Sequence, residues 1–502
     1  MAANTPDAHS GVLDINAVFR SGGRAVEFLD HINQACLVML YETGIVPREH
    51  AQRIAVGINT VRAEARAETR TTGVPRRSAD YLDYEPRLVA AVGPDASRLH
   101  SGRSRQDIAS TIARMNLRDG LMQEIDALIL ARETALALAA RHIDTIIPAY
   151  THGVQAQPTT FAHYMLALTS ALTRATQRLR EAYARVNRNP LGTAALTTSS
   201  FALDRKRLER LLGFEGLLEN AYDANHLAPV DSALEVASGL AIVAVQIGQF
   251  AQDVHTPYVD TQPWLLLGAG ELTGVSSIMP QKRNPAALEQ LRAQASLMLG
   301  DMHTVFLMAH NNRTGMFDYR MYDPVPCGRP LQVLQLLQDV LSSLVVNKER
   351  ALAAVHADYS TTTEIADALM QRADVPFRIG HHFASQLTDY GRGQGLRLGD
   401  IPYTEAQRLY SALTQHTLPL SEDAFREIIS PEYMVFGRSG IGGPQPAEVQ
   451  RMLTHERAEV VADRVWLRER QRHLAQAQEE LEAAFSTLAT QNFPVCEKSD
   501  QF

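Results

Sequence analysis

At 502 residues the chain can bury a large core, and more than one domain is expected. Its net charge of −8, with only short runs of one sign, leaves no basic footprint for nucleic acid. No run of about 18 apolar residues marks a membrane span, the first residues lack the regions of a signal peptide, and Cys36, Cys327 and Cys496 show no metal-ligand spacing; a cytoplasmic protein is expected.

Residues 1–15 read as a tail. Helical patterning runs from about 26 to 67, broken at Gly44-Ile45-Val46-Pro47, where the proline suits a helix start. Residues 68–80 read as a loop, and a second loop follows at 98–105. Long helical patterns then cover residues 109–142, 159–188, 230–254, 285–311 and 331–357, while period-two alternation is nearly absent. Helices of about 25 residues are about 37 Å long, which points to an elongated bundle. The run Leu240-Ala241-Ile242-Val243-Ala244-Val245 makes its helix apolar on several faces, so that helix needs several neighbours and oligomerisation is expected. Beyond about 358 the helices shorten, with breaks at Pro376, at 391–395 and at 440–444, and a charged helix over 462–490 closes the chain. The expected fold is all-α with three domains, at residues 1–108, 109–357 and 358–502, the middle one a long helical bundle.

Three short blocks carry groups suited to chemistry. The first is Gly274-Val275-Ser276-Ser277-Ile278-Met279-Pro280-Gln281-Lys282-Arg283-Asn284-Pro285. Asn284 suits an N-cap and Pro285 a first helical position, so the block reads as a loose loop ending at the positive end of a helix. A serine becomes a useful base only as an alkoxide held near a fixed positive charge and backbone N–H groups, and Lys282 can supply that charge. Taken singly, Ser-Ser and one lysine are an ordinary turn. The second block is Tyr150-Thr151-His152-Gly153-Val154-Gln155-Ala156-Gln157-Pro158, read as a connection between helices; its histidine alone is more often structural. The third is His100-Ser101-Gly102-Arg103-Ser104-Arg105-Gln106-Asp107, where an arginine fork suits a carboxylate, although surface ion pairing accounts for arginines equally well.

Taken whole, the first block resembles the G-S-S-x-M-P-x-K-x-N signature of the fumarase/aspartase superfamily, and its M-P-Q-K-R-N-P core is most similar to argininosuccinate lyases. The second resembles that family's Y-T-H-x-Q-x-A-Q-P and the third its H-T-G-R-S-R-N-D, and similarity continues in order over roughly residues 25–420. The resemblance implies a three-domain fold and a homotetramer whose sites draw on three subunits. It implies a carbon–nitrogen lyase releasing fumarate from an N-substituted aspartate, with no metal or organic cofactor and with a small dicarboxylate as the substrate class. Ser276 is then the base, Lys282 and Asn284 hold the developing aci-carboxylate with Ser277 beside them, and His152 with Glu289, or a water, serves the leaving nitrogen. Ser104, Arg105, Gln106 and Thr151 are expected to bind substrate carboxylates.

Departures from the family pattern bear on the amine. Val275 replaces a glycine, Val154 a glutamine, Gln106 an asparagine and Tyr81 a histidine. His226-Leu227-Ala228-Pro229 stands where S-D-R-D is usual, and residues 314–323 lack the glutamine and acid of Y-N-R-D-L-Q-E-D, leaving Tyr319 and Arg320 as candidate amine-side contacts. An unusual amine, of the aminopolycarboxylate or nitrosuccinate type, is therefore preferred over argininosuccinate. Argininosuccinate lyase activity is the first alternative, and a catalytically silent structural relative the second.

Overall fold

The computed structural model describes residues 24–73, 77–268, 270–316 and 328–489. Three helices, α1 (Ala25–Glu42), α2 (Arg48–Thr72) and α3 (Tyr81–Val92), form the N-terminal unit. Helix α2 runs further than the expected loop at 68–80 allowed and ends on Gly73, whose φ of 80° gives a left-handed cap. The Asp80 carboxylate caps α3 by accepting from the Leu82 N–H.

The bundle begins with α4 (Arg105–Ala140), 36 residues started by a capping box of Ser104 and Asp107. At 1.5 Å per residue it is about 54 Å long. A hairpin, β1 (Ile146–Thr151) with β2 (Val154–Thr160), leads into α5 (Phe161–Val186), which Thr160 caps. Two short helices, α6 (Arg205–Leu211) and α7 (Ala221–His226), precede α8 (Ala228–Tyr258). Strand β3 (Leu265–Leu267) and the ribbon of β4 (Gly274–Val275) and β5 (Arg283–Asn284) lead to α9 (Ala286–Ala309). The fifth expected helix is in fact two, α10 (Arg329–Ser343) and α11 (Lys348–His356). Between them, β6 (Leu344–Val346) pairs antiparallel with β3, a non-local pairing that interrupts the helix.

Buried Leu121, Leu128, Phe161, Leu172, Leu240, Ile247, Leu291 and Leu337 join α4, α5, α8, α9 and α10 in one core. Burying each such side chain contributes about 1.5–3 kcal/mol before entropy is counted. The C-terminal unit is α12 (Thr362–Ala373), α13 (Phe377–Gln394), α14 (Tyr403–Thr414), α15 (Glu422–Ile428) and α16 (Pro431–Phe436), around Phe383, Leu387 and Phe425.

Helix α17 (Pro446–Ala489), which the sequence placed with that unit, packs elsewhere. Its Leu453, Val460 and Leu467 enter the bundle core, and Leu481, Phe485 and Leu488 enter the N-terminal core. Buried Asp463 on α17 pairs with Arg132 of α4 and, at 2.6 Å, with Arg180 of α5. The architecture is all-α apart from three two-stranded ribbons among the described residues.

Helix α8 is apolar and long enough by composition to cross a membrane, but only 44% of its most apolar window is buried in one copy. It packs against α9 and α5 inside the bundle, while its Ile242 and Val245 and, on α9, Leu297, Phe306 and Leu307 remain exposed. Exposed apolar faces of this kind commonly mark contact surfaces.

Candidate active site

The two candidate catalytic blocks stand at one end of the bundle. Strands β4 and β5 pair Gly274 with Asn284 and Val275 with Arg283, so residues 276–282 form the tip of a ribbon. The strands lie close: a Cβ on Gly274 would sit 3.3 Å from that of Asn284. At the tip the Ser276 Oγ accepts from the N–H of Met279 at 3.1 Å and of Ile278 at 3.5 Å. Donors aimed at a hydroxyl oxygen favour its alkoxide, which is the form a serine base requires. The Lys282 N–H closes the turn on the Met279 carbonyl at 3.0 Å, and the Arg283 guanidinium donates to the Pro280 carbonyl at 2.8 Å. Ser277 and Lys282 are exposed, as are Val275 (79%) and Ile278 (84%).

Asn284 does not cap α9. It is held in the ribbon, Pro285 takes the cap position, and no side chain closes the first turn. Glu289 lies on the exposed face of that helix start.

The histidine block is a hairpin tip and not a plain connection between helices. Thr151 pairs with Val154, leaving His152 (φ 54°) and Gly153 (φ 75°) as a two-residue turn with both φ positive. Left-handed backbone at a non-glycine residue costs of order 1–3 kcal/mol and often marks a functional position. The hairpin is tied to the C-terminal unit: the Gln155 side-chain amide donates to the Ser360 hydroxyl at 3.0 Å. Thr151 and His152 are both exposed. Among the described residues no hydrogen bond or ion pair joins His152 to Glu289.

The third block stands at the start of α4. Ser104 is its N-cap. The Arg105 Nε donates to Asp80 Oδ1 at 2.9 Å, and its Nη2 pairs with Oδ2 of the same carboxylate. Gln106 spends its side-chain amide on the Asn225 carbonyl at 2.8 Å, and the Asn225 amide in turn reaches the Thr193 hydroxyl at 3.0 Å. Asp107 accepts from the N–H groups of Ser104, Gly192 and Ala194; burial outweighs these bonds and pushes its carboxyl up to about 6. Tyr81 stacks on His100 with ring centres 4.4 Å apart, and the Arg103 guanidinium lies over the Tyr81 ring at 4.8 Å. Burial, then the Arg103 charge, pushes His100 down to about 4, so its ring is neutral near pH 7. Nearby, the hydroxyls of Tyr222 and Thr314 are hydrogen-bonded at 2.8 Å, and Tyr222 lies against the His226 ring. Tyr319 and Arg320 lie outside the described residues.

Sequence reasoning missed Asp80, Asn225 and Tyr222. Asp80 had a legible signal, an acid just before a helical pattern, but only as a cap. Its bond to Arg105, 25 positions away, has no sequence signal.

One chain keeps these blocks apart. Gln106 meets Asn225 just before α8 begins, whereas the hairpin follows the far end of α4. The ribbon belongs to that far end too. Tyr164, one turn after the hairpin, bonds Asp253 late in α8, and Arg292 of α9 bonds Gln252. The length of α4, about 54 Å, thus separates Arg105 from Ser276 and His152.

The lyase family matches residues 33–300, and the argininosuccinate lyase C-terminal family matches residues 359–436. Argininosuccinate lyase 2 of Agrobacterium fabrum is 34% identical over 92% of this chain and 92% of its own length. Argininosuccinate lyase 1 of Shouchella clausii is 31% identical over 85% of this chain and 86% of its own. The crystal structure of EDDS lyase in complex with formate superposes with a TM-score of 0.85 at 28% identity, covering 95% of this chain and 99% of that one. Identity at this level along nearly the whole length, joined to the serine ribbon and histidine hairpin, makes the chain a carbon–nitrogen lyase and an argininosuccinate lyase-like member of the fumarase/aspartase superfamily.

Proposed function

We propose that the chain eliminates an amine from an N-substituted L-aspartate to give fumarate, with Ser276 as the base. The carrying observation is the ribbon tip, where two N–H groups point at Ser276 Oγ and Lys282 follows within the same turn. Ser276, as its alkoxide, takes a proton from Cβ. The charge left on carbon spreads into the adjoining carboxylate, where Lys282 and Asn284 hold it. The Cα–N bond then breaks, its electron pair leaves on nitrogen, and a proton returns to that nitrogen. His152, steadied by Glu289 of another copy, is the proposed donor of that proton. Arg105 and Thr151 receive the substrate carboxylates.

The separation of blocks along α4 and the bare apolar faces of α8 and α9 support a site assembled from several copies, in a homotetramer.

Sequence departures at 226–229 and 314–323 favoured an unusual amine, but the names of the curated relatives weigh the other way. Argininosuccinate is accordingly the first substrate proposed. An aminopolycarboxylate is the second, supported by the likeness to EDDS lyase. Offering each to the purified chain and following fumarate absorbance decides between them. Release of fumarate from neither removes both substrate proposals.

A further inference from the structure

The Arg105 guanidinium is an unusual carboxylate receptor, because a carboxylate of its own chain already holds it. Asp80 takes it in two bonds, from Nε and from Nη2. The Asp80 side chain is 9% exposed and fixed by its bond from the Leu82 N–H, whereas Arg105 is 35% exposed. The acid is thus the buried member of the pair and the arginine the more exposed one. Arg105 also occupies the first position of α4, the positive end of the helix dipole, where a cation is disfavoured. Asp80 offsets that charge.

We propose that Asp80 is a positioning residue that tempers the affinity of the site for dicarboxylates. It orients the guanidinium and places a fixed negative charge behind it, so an incoming succinyl or fumarate carboxylate meets a neutral pair and not a bare cation. The consequence is release of fumarate, a dianion that an unopposed arginine at the end of a helix dipole would retain. This rests on the proposed role of Arg105 as carboxylate receptor. Between charges several ångströms apart in a half-exposed site, removing the opposing charge is worth about tenfold in fumarate affinity.

The test is direct titration of fumarate into the full-length assembled protein, which needs no knowledge of the amine. Asp80→Asn keeps the helix cap and the shape while removing the charge. It is expected to bind fumarate about tenfold more tightly, with a steeper dependence on ionic strength. Asp80→Glu restores the charge and is expected to bind as wild type does. Unchanged or weaker binding by Asp80→Asn, with Arg105→Ala binding poorly, overturns the tempering role and leaves Arg105 as receptor. Undiminished binding by Arg105→Ala overturns the receptor assignment itself, and the tempering role with it. Should Asp80→Asn not fold, wild-type affinity answers through salt: a neutral pair gives a shallow dependence, and a steep one overturns the proposal.

Discussion

The two ends of the bundle are built on opposite plans. At the start of α4 the polar groups are already satisfied: Arg105 on Asp80, Gln106 on Asn225, and Asp107 on three backbone N–H groups. At the far end, the ribbon tip and His152 project into solvent, with local bonds that shape each turn. One end is a finished surface that can read a dicarboxylate. The other presents candidate reactive groups that make no bond to one another within one chain. The contrast fits the proposed site shared between copies, with its candidate groups lying at both ends of one chain.

After loss of the base itself, the largest expected effect falls on the exposed end. Lys282→Met should lower kcat by about 10²–10³, as loss of a charge poised on the developing carboxylate does, with little change in fumarate binding. A fall in binding alone would make Lys282 a ground-state contact. Next comes subunit mixing. Arg105→Ala and His152→Ala should each be nearly inactive, yet regain activity when unfolded and refolded together, because some mixed sites draw both intact blocks from different copies. Failure of the mixture would mean that both blocks serve from one chain.

A smaller effect tests the packed end. Asp107 holds its proton more tightly in the folded state, its carboxyl lying near 6 against an ordinary value of 3.8. Its contribution to stability is therefore fullest below the ordinary value and falls as pH rises through about 6. The melting temperature of wild type relative to Asp107→Asn should decline from about pH 4 to about pH 7. A flat difference would mean that burial does not govern this carboxyl. The smallest effect is expected from Val275→Gly. Loosening the ribbon should cost about 0.5–1 kcal/mol of local order, with kcat changed only a few-fold; a larger change would show that the stiffness of the strand sets turnover.

Much of the bundle was legible in the sequence because long periodic segments with caps announce themselves. The patterns at 109–142, 159–188, 230–254 and 285–311 lie within a few residues of α4, α5, α8 and α9. The first half of α17 was hidden by the charges it buries. Glu456 and Asp463 interrupt its apolar spacing, and only the structure supplies their partners, Ser170 and Thr173 for one, Arg132 and Arg180 for the other. The β1–β2 hairpin was missed because two prolines and several polar residues blur its alternation. Strand β6 reads as a continuing apolar helix until its pairing with β3 is known. At the site, residue types were visible and partners were not. A motif names Arg105 and Gln106, but Asp80 and the Asn225 carbonyl, which hold them, come from distant stretches of chain.

The proposed fumarate-releasing elimination rests on Ser276, half-buried at the ribbon tip, as its base. Its most direct test is fumarate absorbance with argininosuccinate for wild type and Ser276→Ala, alongside fumarate titration of both. Wild type should release fumarate, and the variant should lose about 10³-fold or more in kcat while binding fumarate as before. Wild-type turnover by Ser276→Ala would contradict it.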